Sequence, residues 1–163
     1  MTEREHRRLP APALAAILLC FSLAACGGAQ ESEAPPQPVA QKTVDMDRYS
    51  GVSEAQTVLI SDATAWDTLW AKHKREQDPV PRTPSIDFSQ QMVVAVFAGE
   101  RPDTCAAVTI QKVYRTNNRL VVEYTEPPPD PAAVCSALTT HPSQLVSIPR
   151  GPGPVEFIKN APR

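Results

Sequence analysis

Few side chains in this chain of 163 residues could do covalent or metal chemistry: it has four Cys and three His. Cys105 and Cys135 could join His73 or His141 in a thiolate–imidazole nucleophile, which needs a reduced Cys within hydrogen-bond reach of the ring. No nucleophile motif surrounds either Cys, and His141 stands before Pro142 in a proline-bounded loop. The same residues would make a two-Cys, two-His metal site, but they lack the close C-x-x-C or H-x-x-H pairing that lets one turn present two ligands. Glu123, Glu126 and Asp130 form a carboxylate cluster of the kind used in glycoside hydrolysis. Strand alternation and the prolines between them place these acids on a solvated face instead. The residues therefore point to no catalytic group, no metal and no cofactor.

The first residues read as an address. Arg4, Arg7 and Arg8 form a basic head, diluted by Glu3 and Glu5. Ala11 to Phe21 is apolar but too short to cross a bilayer as a mature helix, which marks a signal peptide over residues 1–25. Its end, Leu23-Ala24-Ala25-Cys26, resembles the lipobox of bacterial lipoproteins, in which the Cys thiol takes a diacylglycerol and becomes the new N-terminus. Several acyl chains such as palmitate on Cys26 would anchor the protein stably to a membrane. Gly27 after the Cys resembles the outer-membrane sorting pattern of Gram-negative lipoproteins, so the expected place is the periplasmic side of the outer membrane. Cys20 leaves with the leader and Cys26 is lipidated, which leaves Cys105 and Cys135. In an oxidising compartment these two most simply form a disulfide.

Residues 26–45 read as the lipidated Cys and a disordered, Pro-rich tether, poor in large apolar side chains. The globular domain is expected over residues 46–160. Gln56 to Ile60 reads as a strand, and a helix starts after Ser61-Asp62, with Thr64 and Asp67 in capping-box spacing. Trp66, Leu69, Trp70 and His73 then fall at i, i+3, i+4 and i+7, one apolar stripe on a helix ending near Arg75. The two Trp suit a core face better than a ligand platform, and His73 suits the boundary of that face. Met92 to Ala98 is an unbroken apolar run rich in Val, closed by Gly99, and reads as a strand buried on both faces. Ala106 to Tyr114 and Leu120 to Thr125 form a hairpin across Asn117-Asn118, two residues that tolerate positive φ. Glu126 to Pro131 (E-P-P-P-D-P) cannot supply ladder donors and reads as a rigid loop. Gln144 to Ile148 and Val155 to Lys159 complete an α+β domain, a mostly antiparallel sheet of about six strands with one amphipathic helix.

Composition narrows the partners. The 18 prolines exceed average usage about twofold, yet 42% apolar residues suffice for a packed core. A net charge of −2 with no basic face makes nucleic acid an unsuitable partner.

From Tyr49 to Lys159 the chain resembles the C-terminal domain of PrcB-type protease-complex subunits. The resemblance rests on S-G-V at Ser50–Val52, W-x-x-L-W-x-x-H at Trp66–His73, I-D-F-S at Ile86–Ser89 and M-V-V-A-V-F-A-G-E at Met92–Glu100. L-V-V-E-Y at Leu120–Tyr124 with the Pro-rich loop behind it, L-T near Leu138 and L-V-x-I-P at Leu145–Pro149 continue the order. The resemblance implies an exported protein, often a lipoprotein, that supports a surface protease without catalysing anything itself. Where many members look like T-G-G-Y after the G-E, this chain has Asp103-Thr104-Cys105, and Cys135 has no counterpart in them. The expected reading is a non-enzymatic, lipid-anchored accessory subunit that binds an envelope protein such as a protease; a protease inhibitor using the same loops and a small hydrolase using His141 are the alternatives. The expected contact surface is two loops, Gly99–Cys105 and Glu126–Cys135, through Gly99, Glu100, Arg101, Asp103, Pro128, Pro129 and Asp130. Rigid loops lose little entropy on docking, which suits them to recognition.

Overall fold

The structure is a computed structural model that describes residues 35–162. The expected leader, Cys26 and the first part of the tether lie outside the described residues.

The apolar run after Ser89 forms β4 (Gln91–Phe97), and both faces of this strand are buried, as its lack of alternation requires. Its two faces serve different layers. Met92, Val94 and Val96 pack with Ile110, Val113, Leu120 and Val122 of a second sheet, and with Val108 just before it. Val93, Ala95 and Phe97 pack with Trp66 and Trp70 of the helix, and with Val52 and Ile60. One strand thus seeds two cores, with its own sheet sandwiched between the other sheet and the helix.

That central sheet has the order β2-β7-β4-β3, formed by β2 (Lys42–Asp47), β3 (Gln56–Ile60), β4 and β7 (Ser143–Pro149), all antiparallel. The covering sheet has the order β1-β5-β6-β8, formed by β1 (Gln37–Pro38), β5 (Thr109–Thr116), β6 (Arg119–Thr125) and β8 (Val155–Asn160). β5 and β6 are the expected hairpin; Asn117 and Asn118 take φ of 45° and 60°, the left-handed pair that matches strand twist. β8 joins β6 in parallel, because the chain visits β7 in the other sheet between them.

Three expectations need correction. The tether ends sooner than residue 45: Gln37–Pro38 pairs with β5, and Lys42–Asp47 pairs with β7 around a bulge between Thr43 and Asp45. The described residues therefore hold eight strands, two more than the apolar pattern suggests. The helix, α1 (Ala63–His73), is capped two residues before Thr64, by Asp62, whose Oδ1 accepts from the Ala65 N–H at 2.9 Å. His73 is a core residue with no exposed surface, not a boundary one.

The two Trp are buried and form one face of the helix core, with ring centroids 5.4 Å apart. Their indole N–H groups donate to the carbonyls of Pro84 (2.8 Å) and Pro81 (2.9 Å). The proline-rich crossing between α1 and β4 thus supplies acceptors that its own ring nitrogens could never compete for.

Candidate functional site

Where β4 ends, Gly99 turns the chain at φ +79°, and a Cβ there would lie 2.7 Å from the Ala55 backbone nitrogen. Only glycine fits both demands. Arg101 then makes a two-bond antiparallel bridge with Thr140, at 2.8 and 2.9 Å. Its guanidinium clamps Glu126 at the base of the second loop: Nη2 lies 2.8 Å from both carboxylate oxygens and Nε 3.2 Å from Oε2. Lys159 of β8 adds a third cationic contact at 2.7 Å. Partial burial works against ionising Glu126, but Lys159 and Arg101 outweigh it and hold its pKa below 4.5.

The two loops are tied again nearer their tips. Asp103 accepts from the Cys105 and Ala106 N–H groups, and its carbonyl accepts from the Thr140 hydroxyl at 2.8 Å. Thr104 N–H donates to the Ser136 carbonyl (3.1 Å), while Ser136 N–H donates to Thr104 Oγ1 (3.0 Å). Between these bonds Cys105 and Cys135 form the expected disulfide, with Cα atoms 5.3 Å apart and a sequence separation of 30. Asp130 folds the Pro-rich segment on itself by accepting from Ala132 N–H with its side chain and Ala133 N–H with its carbonyl. The product is one braced platform. At its outer edge Val134 stands 93% exposed, with Leu138 half exposed nearby.

Of the residues expected at a contact surface, Glu100, Pro128, Pro129 and Asp130 are exposed. Arg101 and Asp103 are half-buried and spend their polar groups on bracing. Gly99 is buried and shapes the turn without offering a surface. Val134 and Leu138 were not among the expected residues. An apolar residue inside a proline-rich loop reads as ordinary loop composition until its exposure is known.

A second polar cluster lies beneath the platform, where α1 ends. His73 Nε2 lies 2.8 Å from Asp45 Oδ2, and His73 Nδ1 lies 2.8 Å from Ser50 Oγ. Lys74 Nζ lies 2.8 Å from Asp45 and 2.7 Å from Asp47, over the Trp70 ring, and Gln77 adds a donor to Asp47. Burial works against ionising both acids, but the hydrogen bonds and charge of His73 and Lys74 at Asp45, and of Lys74 with the Tyr49 N–H at Asp47, hold both pKa values below 3.8. The same carboxylates overcome the burial of Lys74 and raise its pKa above 10.5.

This cluster explains two motifs that are far apart in sequence. Ser50 of S-G-V meets His73 of W-x-x-L-W-x-x-H. Gly51 lies so close to α1 that a Cβ would sit 2.3 Å from the Lys72 carbonyl, and its N–H donates to the His73 carbonyl at 2.8 Å. Val52 is fully buried beside them.

Asp45, His73 and Ser50 have the composition of a hydrolytic triad, and Ser50 borders a cleft of about 470 Å³ with Tyr49, Arg75 and His141. The geometry suits a tie, not a nucleophile. Ser50 is 1% exposed and its Oγ already accepts the Val52 N–H at 3.1 Å. The Gly51 N–H, a natural oxyanion donor, is committed to His73. Asp45, Asp47 and His73 are also close enough to share a cation, but the Lys74 ammonium occupies that place between the carboxylates.

The remaining chemical readings lose their reactive groups. A Cys–His nucleophile and a Cys-containing metal site both need free thiols, and the disulfide takes them. Glu126 is bound by Arg101 and Lys159, Glu123 accepts from Asn160, and Asp130 holds its own loop, so they form no paired acid and base. Among the described residues no helix is long and apolar enough to cross a membrane.

Residues 92–149 match the family model described as PrcB C-terminal. The match runs from β4 to β7 and contains both braced loops. No curated protein and no solved structure matches the chain.

Proposed function

We propose that this chain, through the PrcB C-terminal pattern its residues 92–149 carry, works as a non-enzymatic accessory subunit of an envelope protease complex. A lipid on Cys26 holds it to the membrane, and a tether shortened by the early start of the sheets sets the domain a little above the surface. The observation that carries this reading is the braced pair of loops inside the matched segment, with Val134 presented at 93% exposure. A loop fixed by a disulfide, a bidentate ion pair and reciprocal hydrogen bonds has little freedom left to lose on docking. Covering the exposed Val134 side chain would add buried apolar area to the contact.

The same feature favours a second reading, a protease inhibitor. One branched apolar side chain beside a disulfide-held Cys is what a specificity pocket for small aliphatic residues would take. The two readings differ in sign: an accessory subunit stabilises or activates its protease, and an inhibitor added in trans lowers turnover.

The test is affinity capture from detergent-solubilised membranes with the tagged chain, its Val134→Asp variant and its Cys105→Ala/Cys135→Ala variant, followed by activity assay of the captured protease. One envelope protease recovered by the wild type and lost with Val134→Asp is the expected result. Equal recovery by all three forms would remove the loops from the interface. Recovery of no protease by a folded, disulfide-bonded chain would overturn the reading.

A further inference from the structure

Each sheet leaves two edges, and three of the four are protected against pairing. β1 is two residues long and contains Pro38. β2 carries Lys42, Asp45 and Asp47 and a bulge. β8 places Glu156 and Lys159 along its length. Short strands, prolines, bulges and charges are the devices by which sheet edges avoid adding another strand. β3 has none of them. Its sequence Q-T-V-L-I is uncharged, and its five residues run in unbroken register with β4. Among the described residues, no hydrogen bond other than its ladder to β4 satisfies the β3 backbone.

Beside this edge lies a groove of about 550 Å³ between β3 and α1. Ala65, Thr68, Leu69 and Lys72 line its helix side, at the i, i+3, i+4 and i+7 spacing of one helical face. This face is distinct from the Trp66–Trp70–His73 stripe that enters the core. Val58 lines the strand side, and both Val58 and Leu69 are only partly covered by the core they border. Lys72 sits in the last turn of α1 and brings a positive charge to one end of the groove.

We propose that the β3 edge and the adjoining face of α1 form a second docking site, which takes an extended segment of a partner polypeptide as an added strand. The unpaired edge supplies main-chain hydrogen bonds and the groove receives every second side chain, the division of labour of strand-addition recognition. The segment is about five residues long, the span of β3. It carries branched apolar residues at alternate positions, facing Val58 and Leu69, and an acidic residue at the Lys72 end. The chain's own tether does not meet this description: residues 27–34 (G-G-A-Q-E-S-E-A) contain no branched apolar residue. This site is independent of the loop platform and stands or falls separately from it.

Selection from a random octapeptide display library on the full chain tests the proposal, followed by calorimetry and hydrogen exchange with the enriched peptides. Peptides with alternating branched apolar residues and a terminal acid should protect the amides of Gln56–Ile60. Methylating the peptide's alternate backbone nitrogens should weaken binding about tenfold or more, because ladder bonds are lost. Leu69→Lys should weaken it similarly, while Val134→Asp should leave it unchanged. The N-methyl comparison uses the unaltered protein, so a misfolded variant cannot mask the result. Failure to enrich any peptide, binding indifferent to N-methylation, or protection elsewhere would overturn the proposal. Self-association that protects Gln56–Ile60 and is dissolved by Val58→Lys would also overturn it, by assigning the edge to a second copy of the chain.

Discussion

Ser50 has two hydrogen-bonding tasks that alanine cannot perform: its Oγ meets His73 Nδ1 and accepts the Val52 N–H. Ser50→Ala leaves both groups buried without a partner, so unfolding free energy should fall by about 1–3 kcal/mol in urea titration. Esterase or peptidase background should not change. A loss of turnover in a fully folded Ser50→Ala protein would reinstate the triad as chemistry. Gly99 is the second residue whose identity is dictated locally. Alanine there meets both a positive φ and a 2.7 Å approach to Ala55, and should cost at least about 1 kcal/mol with added disorder in the Arg101 loop. Neither role was legible in the sequence beforehand. Ser50 and His73 are 23 residues apart, and only the fold brings a His read at the boundary of a helix face against the Ser of S-G-V. The Trp pair was legible, because helical spacing and size already place two indoles in a core.

At the scale of elements, β4 and the β5–β6 hairpin follow from local rules: an unbroken Val-rich run cannot leave a face in water, and Asn-Asn accepts positive φ. β2 does not. Lys42–Asp47 has only Val44 and Met46 as large apolar residues, and Met46 is 60% exposed, so no periodic signal exists for a strand held chiefly by backbone pairing with β7. Ser61-Asp62 marks the helix start in the sequence as in the fold, whereas the capping-box spacing points to Thr64 and Asp67; the side chain that reaches the first free N–H is that of Asp62. The disulfide was legible from compartment and counting, and its partners in bracing were not. Closing a loop of 30 residues contributes about 3–4 kcal/mol on the chain-entropy model. Cys105→Ala/Cys135→Ala should approach that loss in urea, and hydrogen exchange should rise over residues 130–138 while β4 remains protected. Unchanged exchange in the loops would mean that Arg101–Glu126 and Thr104–Ser136 hold the platform alone.

The described residues form a sheet between a covering sheet and one helix, and two ionic clusters tie these layers together. Lys74 ties α1 to Asp45 and Asp47 of β2, beneath the loop platform, and Arg101 and Lys159 tie Glu126 to the first loop and to β8. The acids have folded pKa values below their ordinary ones, so the stability they contribute is fully present above about pH 5 and is lost as pH falls through those lowered values. Lys74 is raised, so its contribution is present below about pH 10 and is lost as pH climbs through its folded value. From these groups stability should hold level between the two limits and fall outside both. Lys74→Met isolates the cause. It removes the cation but leaves Asp45 and Asp47 partly buried, where desolvation now opposes their ionisation with less compensation. The variant should trail the wild type most at neutral pH, and the gap in urea midpoint should narrow below about pH 4, as both carboxylates take up protons. A gap that stays constant from pH 3 to 8 would mean that Lys74 acts through packing on Trp70 and not through the two aspartates.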